Sequence, residues 1–350
     1  MNRRLAENER FLRSIYAGAT DTPAFCCLLP HTPIYAVPGG PFNLSTAPVR
    51  EWVGWVAEDY RRQVELVEAV GHDGVPTARL LTGTEIFAQA FGCPVHQYED
   101  SNPCALPRVA NAAEADTVAL PSLWDCPGLV RVFELGKAVQ AELGRDAVLG
   151  PCDMQTGFDI AAQIWEKTDF LCAMATPGER DAVKRLVGIC AEFYRNFLVE
   201  LRREFPTMSP CHCPSAWAPP ELGPWTSNDE CGIIGTEMFE EFALPELIEL
   251  SRTFGSLGMH CCAAAEHQFP SFRKIPNFYA FNRVPAKQGI DPILEHFGGP
   301  SGPVHVLAWL ADATIERLIR TAPPGTRFIF VRFCPDHDDA TRWLDRMRQL

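Results

Sequence analysis

His260 and Cys262 stand two residues apart in the stretch Leu257-Gly258-Met259-His260-Cys261-Cys262-Ala263. On an extended strand, side chains two apart leave from the same face. An imidazole and a thiol then converge, while Cys261 points the other way into packing. A second run, Arg327-Phe328-Ile329-Phe330-Val331-Arg332-Phe333, leads straight into Cys334. One nitrogen and two sulfurs at strand ends suit Zn²⁺, with a fourth position left for water, substrate or a carboxylate. Asp229, Glu230 and Glu266 are the candidates for that position. The alternative is plain packing, because a buried cysteine usually behaves as a small apolar side chain. Cys211-His212-Cys213 is a rival metal motif that lacks a third partner at a diagnostic spacing.

Other polar residues fall where strands are expected to end. Asp153 follows Gly150-Pro151-Cys152 and is either an acid, base or substrate contact, or a cap on the next turn. Asn228 and Asp229 precede a helix, as catalytic groups or as caps. Glu85, after Leu81-Thr82-Gly83-Thr84, is a substrate-binding carboxylate or a first-turn helix residue. Asn282 and Arg283 are placed to reach a polar substrate, unless Arg283 only pairs on the surface. Trp217 and Trp225 flank a Pro-rich loop, either as lid aromatics over a substrate or as loop packing. No P-loop, Gly-x-Ser-x-Gly elbow or His-Glu-x-x-His motif occurs.

These residues need strands to carry them, and the pattern supplies eight candidates: 22–29, 73–81, 147–151, 208–213, 257–262, 278–284, 303–309 and 327–333. Helical periodicity fills most of the gaps, as in Val183, Leu186, Val187, Cys190, Tyr194, Phe197 and Leu201. Thr176-Pro177-Gly178-Glu179 reads as a capping box at the start of that helix. Pro245 is expected to break the helix around it. Alternation of strand and helix predicts an α/β fold, a (β/α)8 TIM barrel with an N-terminal helical extension and long loops at the barrel mouth. Residues 1–350 read as a single domain. A doubly wound sheet is the alternative, without a Gly-x-Gly-x-x-Gly turn to support it. The Pro/Gly-rich stretch from Pro30 to Pro41 is long enough for a binding loop.

The chain has 350 residues, 47% of them hydrophobic, and a formal charge of -13. That charge argues against nucleic-acid or anionic-membrane partners and leaves a small-molecule substrate as the expected ligand. No apolar run is long enough to span a bilayer, and Met1–Arg10 lacks the apolar core of a secretory signal. A cytoplasmic protein is expected. Fourteen cysteines, some vicinal, suit reduced and mostly buried thiols better than a disulfide framework.

In order along the chain, several pieces resemble the uroporphyrinogen decarboxylase superfamily. They are Glu9-Arg10-Phe11-Leu12-Arg13 with Asp21-Thr22-Pro23, Val148-Leu149-Gly150-Pro151, Asn228-Asp229 leading to Met238–Pro245, Gly258-Met259-His260-Cys261-Cys262, and Gly325–Phe330. The resemblance implies a (β/α)8 barrel. It is closer to the methylcobalamin:coenzyme M methyltransferase branch, in which His-x-Cys and a distant Cys hold zinc; His260, Cys262 and Cys334 match that pattern. The implied activity is methyl transfer to a thiol from a corrinoid on a separate partner protein, since an Asp-x-His-x-x-Gly corrinoid signature is absent. True decarboxylases carry an Arg-x-Ala-Gly-Arg-Tyr stretch after the first strand. Here the place reads Leu28-Leu29-Pro30-His31-Thr32-Pro33-Ile34-Tyr35, with no Arg between Arg13 and Arg50. Carboxylates of a porphyrinogen-like substrate would lack bidentate partners. A metal-free decarboxylase (a lyase) and a non-catalytic ligand-binding barrel are the alternatives.

Overall fold

The computed structural model describes residues 3–29, 49–98, 103–284 and 289–350. The stretch from Pro30 to Pro41, expected as a binding loop, lies outside them. Eight parallel strands form the centre: β1 Ala24–Leu28, β2 Ala78–Arg79, β3 Leu149–Gly150, β4 Trp225–Ser227, β5 Leu257–Cys261, β6 Phe278–Arg283, β7 Val304–Ala308 and β8 Phe328–Phe333. Six make one sheet in the order β1-β8-β7-β6-β5-β4, and β2 pairs with β3. A bridge between Gln155 and Ser227 links the continuation of β3 to β4. Beside β1, the Asp73 N–H donates to Phe25 O at 3.0 Å, just ahead of β2. The arrangement is consistent with a (β/α)8 barrel, and no continuous ladder closes the ring among the described residues. Pro76 and Pro151 bracket β2 and β3 without N–H donors, which keeps these strands short.

Period-two alternation sorts the strand residues into two layers. Ala24, Cys26, Trp225, Ala280, Val304, Val306, Ile329 and Val331 face one cluster, inside the strands. Phe25, Cys27, Leu257, Met259, Cys261, Phe281, Phe328 and Phe330 face the other, beneath the helices. The main helices are α1 Arg3–Tyr16, α2 Val49–Val70, α3 Pro127–Leu143, α4 Gly157–Ile164, α5 Lys167–Ala175, α6 Arg180–Glu204, α7 Thr236–Phe242, α8 Leu244–Phe254, α9 Asp312–Thr321 and α10 His337–Met347. The apolar stripe expected along α6 is buried as predicted. The helix break falls at Ala243, with Pro245 in the first turn of α8. Leu12 and Ile15 of α1 join the inner cluster at the strand starts. There Arg327 donates to Ile15 O at 3.2 Å and Tyr16 O at 3.4 Å.

Two expectations are corrected. The fourth strand is Trp225–Ser227, not 208–213, because Pro210 and Pro214 interrupt the latter. Residues 209–218 instead leave β3 after one backbone bond, Ser209 N–H to Leu149 O at 2.9 Å, and loop back. The Ala218 N–H donates to Ser209 Oγ at 2.9 Å and closes the neck of this loop. Cys211, Ala216, Trp217 and Ala218 pack on the inner cluster. The capping box at Thr176 does not form either. Its hydroxyl donates to Cys172 O at 2.9 Å and closes α5, and α6 begins at Arg180.

Candidate metal centre

The C-terminal edge of the strands gathers the polar residues that the sequence scatters. At β5, the alternation that sends Leu257, Met259 and Cys261 to the outer layer turns His260 and Cys262 inward. His260 is 7% exposed, whereas Cys262 is open to solvent. The Asp229 carboxylate arrives from the loop after β4 and accepts the Cys262 N–H at 2.6 Å. That loop is held by Asp159 of α4, which accepts the N–H groups of Asp229 at 3.0 Å and Glu230 at 3.1 Å. As a result, the ligand atoms of Asp229, His260 and Cys262 lie within 4.8 Å of one another, the sole such triad among the described residues.

Neighbouring groups fix the ring state of His260. Asn282 Nδ2 donates to Val306 O at 2.6 Å, so its Oδ1 faces His260 Nδ1, also at 2.6 Å. Nδ1 must therefore donate, and in the neutral ring the lone pair is left on Nε2. This is the orienting hydrogen bond that a metal-binding histidine needs. Burial opposes a charge on His260, while Cys213, Cys262 and Asp229 favour it, and the balance lies well above the ordinary imidazole value. For Cys262, the hydrogen bond with His260 lowers the thiol and burial with Asp229 raises it; the net is upward.

Other candidates for the fourth position are engaged elsewhere. Glu230 pairs with Lys167, and Glu266 pairs with the buried Arg283 at 2.5 Å. Cys334 is not brought to the triad. It continues the parity of Phe328 and Phe330, which faces the outer layer, and there it packs fully buried in that cluster. Cys27 hydrogen-bonds its sulfur, pushing Cys27 up and holding Cys334 below the usual thiol range. Asn282 is fully buried with both amide ends used, so it orients His260 rather than presenting itself to a substrate. Trp225 fills the inner cluster, its ring edge-on to Tyr279 at 6.1 Å and lying over Gly258, where any Cβ would sit 2.5 Å from the indole. Asn228 is fully buried, its amide without a partner, and its N–H bonds His260 O at 3.0 Å.

A second polar wall stands at the ends of β2 and β3. Asp153 accepts from Gln155 and lies 3.9 Å from His212 Nδ1. Burial raises its carboxyl. Glu85 is also buried, with Oε2 unpartnered, and burial followed by the charge of Asp153 pushes it up to about 8. It starts the short helix Ile86–Ala90. Sequence reasoning missed Arg79, whose guanidinium binds Ser215 Oγ and His212 O and pins the 209–218 loop. It also treated Cys211-His212-Cys213 as a rival to His260, whereas the rings of His212 and His260 are 6.0 Å apart.

An oxygen, a nitrogen and a sulfur donor with one side open form a zinc-type set. Neither a family model nor a curated protein sequence matches the chain. Among solved structures, the chain is similar to a methyltransferase from Methanosarcina mazei, with a TM-score of 0.63 over 98% of each chain at 14% identity. The likeness is one of fold.

Proposed function

We propose that the eight strands make a (β/α)8 barrel whose mouth binds Zn²⁺ and transfers a methyl group from a corrinoid protein to a thiol acceptor. One observation carries this reading: Asp229, His260 and Cys262 converge, with the His260 tautomer set by Asn282. Zinc bound there lets an acceptor thiol exist as a thiolate at neutral pH. The chain's own groups do the rest. His260 presents Nε2, Cys262 its sulfur, and Asp229 an oxygen held in place by the Cys262 N–H. Asp153 and Glu85, raised by burial, are suited to hold protons beside the acceptor. A donor bound to a separate protein fits a chain without a corrinoid signature.

The decarboxylase alternative would need free arginines at this edge. Arg79 and Arg283 are committed to the 209–218 loop and to Glu266. Metal analysis after purification without chelator tests the zinc reading. About one equivalent is expected, falling below about a tenth in Cys262→Ser or His260→Ala. A parent protein without zinc that also takes none up when it is added would end it.

A further inference from the structure

The polar wall at the ends of β2 and β3 meets the candidate centre across one histidine ring. Hydrogen bonds tie the strand ends together. The Asp153 N–H donates to Thr82 Oγ1 at 3.1 Å and joins the end of β3 to that of β2. Gln155, which binds the Asp153 carboxylate, bridges to Ser227 of β4, and Ser227 is the register partner of His260 in β5. His212 fills the space between. Its Nε2 meets Ser227 Oγ at 3.3 Å, and its ring stands 6.0 Å from that of His260. On the other side, Nδ1 lies 3.9 Å from Asp153 Oδ2, too far for a hydrogen bond. His212 is 1% exposed and Nδ1 has no partner, so a buried polar atom is aimed into a gap beside a carboxylate. The Asp153 side chain is 24% exposed, which leaves the gap open on that side.

A ligand nitrogen about 2.8 Å from both atoms fits a gap of 3.9 Å. An ammonium there donates to the carboxylate, and it offsets the burial that raises the Asp153 carboxyl. With the Nε2 proton directed at Ser227 Oγ, Nδ1 accepts from the same ammonium. The wall offers an anion nothing comparable. Glu85 adds a second carboxyl three residues beyond Thr82, and Asp229 a third on the metal side. Arg79 is committed to His212 O and Ser215 Oγ, and Arg283 to Glu266.

We propose that the thiol acceptor is an aminothiol, whose protonated amine lies between Asp153 Oδ2 and His212 Nδ1 while its sulfur reaches the metal. This acceptor class rests on the zinc reading above and deepens it. Two or three carbons between amine and sulfur span roughly 4 to 5.5 Å, the scale of the separation between the two histidine rings. A thiol with a sulfonate or carboxylate in place of the amine would set like charges side by side.

The experiment loads the full chain with Co²⁺ and titrates 2-aminoethanethiol, 2-mercaptoethanol and 2-mercaptoethanesulfonate. Cobalt–thiolate charge transfer in the near ultraviolet reports binding of the sulfur. The parent is compared with Asp153→Asn and Asp153→Ala at one pH, so the acidity of each thiol cancels between proteins. The parent should prefer the aminothiol to the alcohol by at least about 10-fold and bind the sulfonate most weakly. Both variants should lose about 10-fold or more of that preference yet bind the alcohol within about 2-fold of the parent, which shows the metal site intact. A preference kept in both variants, or a parent that binds the sulfonate most tightly, overturns the proposal and leaves the zinc reading standing. A parent that takes up no metal ends the zinc reading. The amine pocket is then judged alone, with 2-(methylthio)ethylamine titrated into the metal-free chain and the His212 ring followed by nuclear magnetic resonance. Ring shifts in the parent that Asp153→Asn abolishes keep the pocket; no shift, or equal shifts in both, overturns it.

Discussion

His260 shows how much of this site depends on one hydrogen bond. The ring can present Nε2 only while Asn282 holds Nδ1 as a donor, and Asn282 can do so only while Val306 O fixes its amide. Asn282→Ala should weaken zinc binding by about 10- to 100-fold without abolishing it. Chelator competition measures this, and an unchanged affinity would remove Asn282 from its orienting role. Glu85 makes a pH prediction at the same scale. Its carboxyl has an ordinary value of 4.5 and is pushed up to about 8 in the fold, by burial first and then by Asp153. The folded chain thus holds this proton more tightly than the unfolded chain does. The stabilisation is fully present below about pH 4.5 and is lost as pH rises through about 8. Glu85→Gln should match the parent near pH 4.5 and exceed its stability at pH 9 by on the order of 2 kcal/mol. Urea melts at the two pH values decide it; an equal difference at both would show that ionisation of Glu85 is not the cause.

At the scale of elements, the 209–218 loop is the part that departs most from its sequence reading. Its apolar and cysteine content resembles a strand, yet Pro210 and Pro214 remove ladder donors. The loop is kept by its neck at Ser209 and Ala218, by Trp217 in the inner cluster, and by Arg79. Arg79→Met keeps the length of the side chain and removes both hydrogen bonds. Backbone amide exchange over 211–216 should then quicken by about 10-fold or more, with β5 to β8 unchanged. Equal exchange in the two proteins would mean that packing alone holds the loop. Strand β5 behaves as its alternation dictates, and so does β8. Counting by twos from Phe328 and Phe330 places Cys334 under the helices. That parity was present in the sequence and opposes the ligand role expected of Cys334 from its place at a strand end and from the resemblance.

For the whole molecule, metal binding and folding are coupled, because the three donors come from the ends of two separate strands. Free zinc at about 100 times its dissociation constant should add about 2.7 kcal/mol of stability to the parent. Thermal melts with and without zinc check this, and Cys262→Ser should show little of the shift. No described helix is long and apolar enough to cross a membrane. Much of the frame was legible from the chain alone. Apolar alternation marked seven of the eight strands, and helical period marked α2, α6 and α10, because burial repeats with the backbone geometry. The spacing of His260, Cys261 and Cys262 also settled which two face inward and which one packs. Tertiary structure alone decided the partners. Asp229 over Glu230 and Glu266, Asn282 behind His260, and His212 across from its ring all depend on contacts between residues 22 to 48 positions apart. Local periodicity carries no information about which strand ends meet; strand order and the course of one loop bring them together.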